Sequence, residues 1–398
     1  MADQLLFTGG SAFLGEDRAF ARRDVLIKDG LIAAIGEHID PPSNAELIDI
    51  TGRIISPGLI DFHMHAFRYG HVLSVDVDDV APRSGTTTFV DAGSAGSLQF
   101  LTFREYVIKP AVSNILAFLN ISVLGQTTDG VTGLNFHDSD DERLLHVDSA
   151  REVIEKNRDI IVGIKVRAYT GLPSMRALEA ARELAELVKL PIMVHIAPAP
   201  PSFADVVSFL KAGDMITHPY HGGTDTILDA DGQVRAEFLE ARARGIEVDL
   251  GLDRFHGLLP IMRTCVAQGY IPDYISTDLT STNRETVVFD MPTTMSKLMA
   301  CGMSLEEVFA RSTIDTARKL GMTERIGVLR VGATADLGIF RIDEAPVTFK
   351  DYRDNTLEAS RRIIAERTYR RGVPMVPPDR VTEYPDFLNM ANPWKNYA

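Results

Sequence analysis

His63 and His65 close an apolar segment that begins at Gly58, and no other residues of this chain point as directly to chemistry. Side chains alternate between the two faces of a β-strand, so both imidazoles would point to the same side. Two neutral imidazoles on one face can share a zinc ion, and a catalytic zinc site leaves one position open for water or substrate. A lone His-x-His pair also fits two core or surface histidines near a strand end, so the interpretation depends on the rest of the chain.

Four more polar residues stand at or near the ends of short apolar runs: Lys165, His195, His218 and Asp278. The successive gaps, counted from His65, are 100, 30, 23 and 60 residues. One β/α unit of an eightfold barrel takes about 30 residues, so the gaps correspond to three units, one, one and two. The spacing predicts an α/β fold, a (β/α)8 TIM barrel, with these residues on strands one, four, five, six and eight. Such barrels keep their active sites at the carboxyl ends of the strands.

The strands that this count leaves open have candidates at the required places. Runs at residues 86–91, 115–123 and 245–250 could be the second, third and seventh strands, since short runs separated by helical patterns are typical of a parallel sheet that is buried on both faces. Between the fourth and fifth strands, Leu178, Ala181 and Leu184 recur at helical spacing with Leu187. Pro191 prevents continuation of this helix, so one complete β/α crossover is predicted.

Both chain ends have strand-like patterns outside the barrel. Residues 25–35 contain two short apolar runs around Asp29 and Gly30, the pattern of a tight hairpin. Residues 327–340 again resemble strands that glycines interrupt. Four prolines between residues 376 and 398 predict an irregular tail, which could pack on the chain itself or on a neighbouring subunit of a homo-oligomer.

Residues 56–65 read SPGLIDFHMH, and together with the later order of Lys, His, His and Asp they resemble the amidohydrolase superfamily, in its dihydroorotase-like branch with two metals. The resemblance covers nearly the whole chain. It implies a small β-sandwich domain made from both chain ends, at residues 1–57 and 324–375, and a metal-dependent hydrolase barrel at residues 58–323. The irregular tail would follow at residues 376–398.

The resemblance also implies the ligands of two divalent metal ions, with zinc as the expected metal. All six polar residues would be ligands: His63, His65 and Asp278 of the first ion, His195 and His218 of the second, and Lys165 of both. Nitrogen and oxygen ligands in one site also suit manganese or iron. His256 falls outside the strand ends that carry these ligands.

Lys165 has a physical argument of its own. Its apolar neighbours Ile164 and Val166 indicate burial, which favours the neutral amine over the ammonium. A neutral amine can react with carbon dioxide to give a carbamate, whose anionic oxygens would bind two cations. The alternative is a lysine that reaches the barrel rim or pairs with an acid. The expected cofactors are therefore two divalent ions and a carbamate on Lys165.

Such a centre would hydrolyse an acyl bond. Two ions a few ångström apart would bind a bridging water and lower its pKa enough to supply hydroxide near neutral pH. Asp278, the expected catalytic residue, would accept the proton of this nucleophile and hand it to the leaving group. Its alternative role is a carboxylate that caps a helix after the eighth strand.

Departures from true dihydroorotases bear on the substrate. Those enzymes typically carry His-x-His-x-Arg, where the arginine holds the substrate carboxylate, whereas this chain has Phe67 at that position. Arg167 should share the inward face of Lys165 and could pair with a substrate carboxylate, although an ion pair with an acid at the rim fits the pattern equally well. His221 could be another substrate contact or a loop histidine packed on its neighbour. The expected partner is a small carboxylate-bearing molecule.

Three segments, at residues 90–96, 163–167 and 290–297, resemble a subgroup often labelled dihydroorotase that looks like esterases of acylated α-hydroxy acids, such as acetylated mandelate. The resemblance implies cleavage of an acyl ester of a small α-hydroxy carboxylate. The loop at residues 249–256 departs from the glycine-histidine-glycine sequence of these relatives. The alternatives are a cyclic amide or N-acyl-amino-acid amidohydrolase, of the dihydroorotase or hydantoinase type, and a non-catalytic scaffold with the same fold.

The composition fits a cytoplasmic enzyme. A length of 398 residues suits one barrel with a smaller domain, and 45% hydrophobic residues supply a large core. The net charge of −14 argues against a nucleic-acid partner or an anionic membrane. Cys265 and Cys301 fall in helical patterns, so no disulfide is expected. The sequence has neither a basic segment followed by a long apolar one nor a run of membrane-spanning length.

Overall fold

The computed structural model describes residues 4–128, 137–168, 175–196 and 199–377. Nearly all of the tail predicted at residues 376–398 lies outside these ranges. Within them, no helix combines the length and the apolar character that crossing a membrane requires. Cys265 and Cys301 are buried and free, as the sequence predicts.

Seven strands precede the barrel: β1 (Gln4–Thr8), β2 (Ser11–Phe13), β3 (Phe20–Arg22), β4 (Asp24–Lys28), β5 (Leu31–Gly36), β6 (Ala45–Asp49) and β7 (Ile54–Pro57). Four of them form a sheet in the order β5-β4-β1-β6. β4 and β5 pair antiparallel around Asp29 and Gly30, whose φ angles are both positive, as a two-residue type I′ turn requires. The predicted hairpin is confirmed.

The next seven strands run parallel, each beside the one that follows it in the chain. They are β8 (Leu59–Met64), β9 (Thr86–Ala92), β10 (Asn114–Asn120), β11 (Ile161–Arg167), β12 (Ile192–His195), β13 (Met215–Thr217) and β14 (Glu247–Asp249). Every residue of β8 and β9 is buried, as expected of strands in a parallel sheet that is covered on both faces. The predicted second, third and seventh strands are present, although β10 and β14 end before the apolar runs do.

Residues 274–279 close the barrel between β14 and β8. Single bridges join this segment to Asp249 on one side and to Met64 on the other, and the Asp278 N–H donates to the His63 carbonyl at 2.6 Å. The predicted eighth strand is thus a paired segment rather than a regular strand. Asp278 has a φ of 49°, and this left-handed backbone ends the extended conformation. The (β/α)8 barrel is confirmed.

The ten α-helices of the described ranges are α1 (Val77–Val80), α2 (Phe100–Phe103), α3 (Val147–Lys156), α4 (Arg176–Val188), α5 (Phe203–Phe209), α6 (Ala236–Ala243), α7 (Leu259–Ala267), α8 (Met291–Cys301), α9 (Leu305–Arg311) and α10 (Ile314–Lys319). The predicted crossover helix between the fourth and fifth strands is α4. It buries Leu178, Ala181 and Leu184, as an amphipathic helix should. Leu187 is 47% exposed and lies at the edge of the buried face.

Five strands follow the barrel: β15 (Leu337–Asp343), β16 (Val347–Lys350), β17 (Thr356–Ala359), β18 (Arg362–Arg370) and β19 (Val373–Pro374). Three of them belong to a six-stranded sheet with the order β19-β18-β15-β7-β2-β3. β15 pairs antiparallel with β7, so both ends of the chain share one sheet. The strand-rich ends are therefore confirmed, whereas the domain boundaries at residues 57/58 and 323/324 stay predictions.

Thr368 of β18 fixes this sheet to the barrel. Its buried hydroxyl donates to the Ala81 carbonyl at 2.6 Å and accepts a hydrogen bond from the Gly85 N–H at 3.0 Å. Both partners precede β9, so the flanking sheet is held directly beside a barrel strand.

Candidate metal centre

Six buried polar side chains meet at the carboxyl ends of the barrel strands. They are the residues predicted from the sequence: His63 on β8, His65 just beyond it, Lys165 on β11, His195 on β12, His218 just beyond β13, and Asp278 in the closing segment. None of them is more than 6% exposed. Because parallel strands end at one edge of the barrel, residues that are far apart in the chain become neighbours.

The first cluster comprises His63, His65 and Asp278, whose donor atoms lie within 4.8 Å of one another. Asp278 Oδ1 lies 3.4 Å from His63 Nε2 and 3.1 Å from His65 Nε2. His63 Nδ1 bonds with Asp249 Oδ2 at 2.8 Å, and His65 Nδ1 bonds with Ser94 Oγ at 2.7 Å. Each imidazole therefore presents Nε2 to the carboxylate, with its other nitrogen held in place, as expected of metal-binding histidines.

The second cluster comprises His195, His218 and His256, again with donor atoms within 4.8 Å of one another. His218 Nδ1 bonds with the Gly251 carbonyl at 2.8 Å, which leaves Nε2 as the nitrogen available to a metal. This Nε2 atom lies 3.8 Å from Asp278 Oδ2. The carboxylate of Asp278 thus stands between the two clusters.

Lys165 lies beside both clusters. Its Nζ atom is 3.3 Å from His63 Nε2, and its charge influences the pKa values of His195 and His218. The side chain is fully buried, and burial lowers the pKa of Lys165 to about 8. A Cβ atom on Gly93 would lie only 2.6 Å from Lys165 Cβ, so this glycine makes room for the lysine stem.

Burial decides the protonation of the histidines. It lowers the pKa of His63, His195 and His218 well below the ordinary value. These imidazoles are therefore neutral near pH 7, which is the form that binds metal ions. Burial also raises the pKa of Asp249 to about 7, although two hydroxyl groups donate hydrogen bonds to its carboxylate.

The donor set fits divalent metal ions. Imidazole nitrogens combined with a carboxylate suit zinc, and also manganese or iron. Asp278 Oδ1 is buried, and despite its short distances to two imidazoles it accepts no hydrogen bond of good geometry from the described residues. A bound cation would satisfy this oxygen. Each cluster could hold one ion.

Most of this chain is similar in sequence to known proteins. Residues 54–359 match the model of the amidohydrolase family. The chain belongs to the amidohydrolase family. It is 34% identical to a deacetylase of Brucella anthropi over 345 residues, which are 85% of this chain and 84% of that protein. A deacetylase of Agrobacterium fabrum is 33% identical, with 85% of this chain and 83% of that protein covered.

Among solved structures, a dihydroorotase has a TM-score of 0.84 and 29% identity, and the match covers 93% of this chain and 98% of that one. The family predicted from residues 56–65 and the later ligands is therefore confirmed. The protein is a hydrolase of this family, as the sequence also predicts.

Two residues of this amidohydrolase centre were not found from the sequence. His256 follows β14 by several residues, and its ring centroid lies 4.7 Å from that of His195 and 4.2 Å from that of His218. The sequence prediction located ligands at the ends of strands, so it could not identify His256, which lies in a loop. Asp249, which orients His63, stands at the end of an apolar run as Asp278 does, so that signal was available in the sequence.

The two predicted substrate contacts are both buried beside the centre. Arg167 Nη1 lies 3.5 Å from Asp138 Oδ1. The alternative role predicted for Arg167, an ion pair with an acid of the protein, therefore has a partner. Asp138 also accepts a hydrogen bond from Asn120 Nδ2 at 2.7 Å. His221 Nδ1 accepts from the Gly223 N–H at 3.2 Å, and burial lowers the pKa of His221 to about 3. Contact of Arg167 or His221 with substrate stays a prediction.

Proposed function

We propose that this amidohydrolase is a metal-dependent esterase that removes an acetyl group from a small α-hydroxy carboxylate, such as O-acetylmandelate. The observation that carries the proposal is the burial of Lys165 beside two donor clusters, with Nζ 3.3 Å from His63 Nε2. The relatives named deacetylase support an acetyl group as the part that is removed. Phe67, in place of the arginine typical of dihydroorotases, supports a substrate other than dihydroorotate.

Two zinc ions would be held by residues already near each other: His63, His65 and Asp278 for one, His195 and His218 for the other, and carbamylated Lys165 for both. The bound ions would supply Lewis acidity and an activated water. The protein contributes neutral imidazoles, a buried carboxylate and a site from which bulk water is largely excluded.

Carbamylation of Lys165 needs only carbon dioxide. The lone pair of the neutral Nζ forms an N–C bond, one C–O double bond opens, and one N–H proton leaves to solvent. The product carries one negative charge that is shared by two oxygens. The lowered pKa of Lys165 supports this step, because it keeps a fraction of the amine neutral near pH 7.

Asp278 would carry the proton. Its Oδ1 atom lies 3.1 Å from His65 Nε2 and its Oδ2 atom lies 3.8 Å from His218 Nε2, so the carboxylate stands between the two clusters. It would accept the proton of the water and deliver it to the oxygen of the leaving α-hydroxy acid. An alkoxide leaves more easily than an amide nitrogen, so a single proton carrier supports an ester substrate.

A matched pair of substrates tests the bond type. O-acetylmandelate and N-acetylphenylglycine differ only in the oxygen or NH that bears the acetyl group. We expect zinc-loaded protein to hydrolyse one enantiomer of the ester with a kcat/KM at least 100-fold above that of the amide, roughly 3 kcal/mol at the transition state. Preference for the amide, or turnover of dihydroorotate, would support the amidohydrolase alternative instead.

Substitution of two arginines tests which residue binds the carboxylate of the substrate. Arg254 lies half-buried in the loop after β14, with its guanidinium carbon 4.3 Å from the ring centroid of Phe255, and its Nε forms no hydrogen bond with the described residues. We expect Arg167→Met to raise KM for O-acetylmandelate about tenfold or more, and to have little effect on its neutral methyl ester. If Arg254→Met has this effect and Arg167→Met does not, the carboxylate binds Arg254.

The cofactors have their own test. We expect two zinc ions per chain by elemental analysis, and a carbamate signal in ¹³C NMR after incubation with labelled bicarbonate. Lys165→Ala should lose the carbamate signal and most of the bound zinc. Fewer than one ion per chain, together with no activity on any acyl ester, would favour the non-catalytic scaffold.

A further inference from the structure

We propose that His256, oriented by Asp253, is a further ligand of the metal ion that His195 and His218 hold. The inference rests on the proposed metal centre and adds a ligand that comes from the loop after β14 rather than from a strand end. The three imidazoles present donor atoms within 4.8 Å of one another. His256 is 7% exposed, so it is as inaccessible to solvent as the strand-end ligands.

The orientation of His256 matches that of a metal ligand. His256 Nδ1 lies 3.0 Å from Asp253 Oδ2. We infer that the other ring nitrogen, Nε2, serves the metal. The pair of Asp249 and His63 has a similar distance, with 2.8 Å between carboxylate and Nδ1. A carboxylate behind the imidazole fixes the tautomer and makes the free nitrogen a stronger donor.

Asp253 is itself held by its surroundings. Its Oδ1 atom accepts from Asn283 Nδ2 at 3.0 Å, and its Oδ2 atom accepts from the Phe255 N–H at 2.9 Å. Its backbone N–H donates to the Thr277 carbonyl at 3.0 Å, next to Asp278. The loop that carries His256 is therefore fixed to the segment that closes the barrel.

The three rings are also close enough to share one ion. Their centroids lie 4.1 Å apart for His195 and His218, 4.7 Å for His195 and His256, and 4.2 Å for His218 and His256. One metal ion could bind a nitrogen of each ring. This arrangement would give the second site three imidazoles and the carbamate, against two imidazoles, Asp278 and the carbamate at the first.

The consequence concerns metal retention. With His256 the second site would have four ligands, the same number as the first, and without it only three. Loss of His256 should therefore lower the chelator concentration that removes the ion of the second site. Loading that site should also fix the loop at residues 251–258, because the loop would then be tied to the metal through His256.

The experiment uses the full-length zinc-loaded protein and four variants: His256→Ala, His256→Gln, Asp253→Asn and His221→Ala. His221 is the matched control, since it is a buried loop histidine that belongs to neither cluster. The zinc content of each protein is measured against a series of chelator concentrations. Visible absorption of the cobalt-loaded proteins reports the ligands independently of activity.

We expect both His256 variants to retain one of the two ions 10–100-fold less tightly than the wild type, with a changed cobalt spectrum. Asp253→Asn should weaken retention about tenfold, and His221→Ala should match the wild type. Circular dichroism identifies any variant that does not fold, and His256→Gln preserves most of the side-chain volume.

Wild-type zinc retention and cobalt spectra in both folded His256 variants would overturn the inference. The proposed function has a separate readout, the hydrolysis of acyl esters by the wild type. A wild type that binds two ions but cleaves no acyl ester would contradict the proposed substrate and leave the ligand role of His256 to the retention data.

Discussion

Gly251 shows how closely single residues are fitted around the centre. It has a φ of +47°, and its carbonyl accepts the hydrogen bond that orients His218. A Cβ atom there would lie 2.4 Å from Thr217 Oγ1 and 2.7 Å from His218 Nδ1. These distances are too short for any real contact, so a side chain at this position must displace the histidine.

Gly251→Ala should therefore remove zinc from the second cluster and lower kcat/KM at least tenfold, as measured by elemental analysis and ester hydrolysis. Gly213→Ala is the matched control, because Gly213 also has a positive φ, of 86°, but has open space around its missing Cβ. The control isolates the backbone cost of about 1–2 kcal/mol from the effect on His218. Equal zinc content in both variants would contradict the steric argument.

The sequence predicted the six strand-end residues because ligand type and β/α spacing are both visible in it. Backbone geometry is not visible. His218 and Asp278 have φ angles of 68° and 49°, which are uncommon for residues other than glycine and tend to occur at functional sites. His256 was missed for a related reason, since the path of the loop after β14 brings it to the centre and no periodic pattern describes that path.

At the scale of secondary-structure elements, one buried acid, Asp61, holds the closing segment at residues 274–279 in place. Asp61 of β8 accepts hydrogen bonds from the Thr277 N–H at 2.9 Å and from its hydroxyl at 2.5 Å. Burial raises the pKa of Asp61 to about 7, with these hydrogen bonds acting against the shift. Asp61 thus holds the residue next to Asp278 and completes the barrel where regular strand pairing is absent.

Asp61→Ala should destabilise the protein by about 1–3 kcal/mol, because the buried Thr277 N–H loses its acceptor. It should also lower the zinc content of the first cluster, since Asp278 is no longer held in place. Thr277→Val removes only the hydroxyl bond, so we expect a smaller loss of stability and near-normal zinc content. Urea denaturation and elemental analysis give both quantities. An Asp61→Ala protein with wild-type values in both would refute the role of Asp61.

Strands and helices could be predicted from the sequence where the pattern of apolar residues extends over many positions. The apolar runs that became β8, β9 and β11 are buried throughout or nearly so, and α4 has the expected buried face. The sequence predicts a regular strand at residues 274–278, where the structure has a segment held by single bridges. The extended backbone ends at Asp278, whose left-handed φ cannot be predicted from strand propensity.

At the scale of the whole molecule, contacts between the flanking sheet and the barrel contribute to the free energy of unfolding. Thr368→Val keeps the shape of the side chain but leaves the Gly85 N–H and the Ala81 carbonyl without the hydroxyl between them. We expect a loss of about 1–3 kcal/mol in the free energy of unfolding. Thr368→Ser retains the hydroxyl and should lose less. Denaturant midpoints that rank Ser below Val would show that the methyl group matters more than the hydrogen bonds.

Lys297 of α8 should make the stability of the folded protein depend on pH. Its buried Nζ donates to the carbonyls of Val287 and Lys350, the latter in β16, and burial lowers the pKa of Lys297 from 10.5 to about 8. The folded protein therefore binds this proton less tightly than the unfolded chain does. The resulting destabilisation is complete below pH 8 and disappears as the pH rises from 8 to 10.5.

The free energy of unfolding of the wild type, relative to Lys297→Met, should accordingly rise by up to about 3 kcal/mol between these pH values. Taking the difference between the two proteins cancels the titration of groups common to both. Urea denaturation at several pH values measures it. A difference that stays constant across this range would show that the pKa of Lys297 is equal in the folded and unfolded protein, and a difference that falls would show that folding raises it.

The sheet shared by the two chain ends has a consequence for biosynthesis. β7 leaves the ribosome about 280 residues before its partner β15. At roughly 5–20 residues per second, the nascent chain waits about 15–60 seconds with one edge of β7 unpaired. Unpaired strand edges invite association with other chains. The length of the barrel therefore sets the interval during which a newly made molecule is most exposed to aggregation, and a ribosome-bound chaperone would protect it most at that stage.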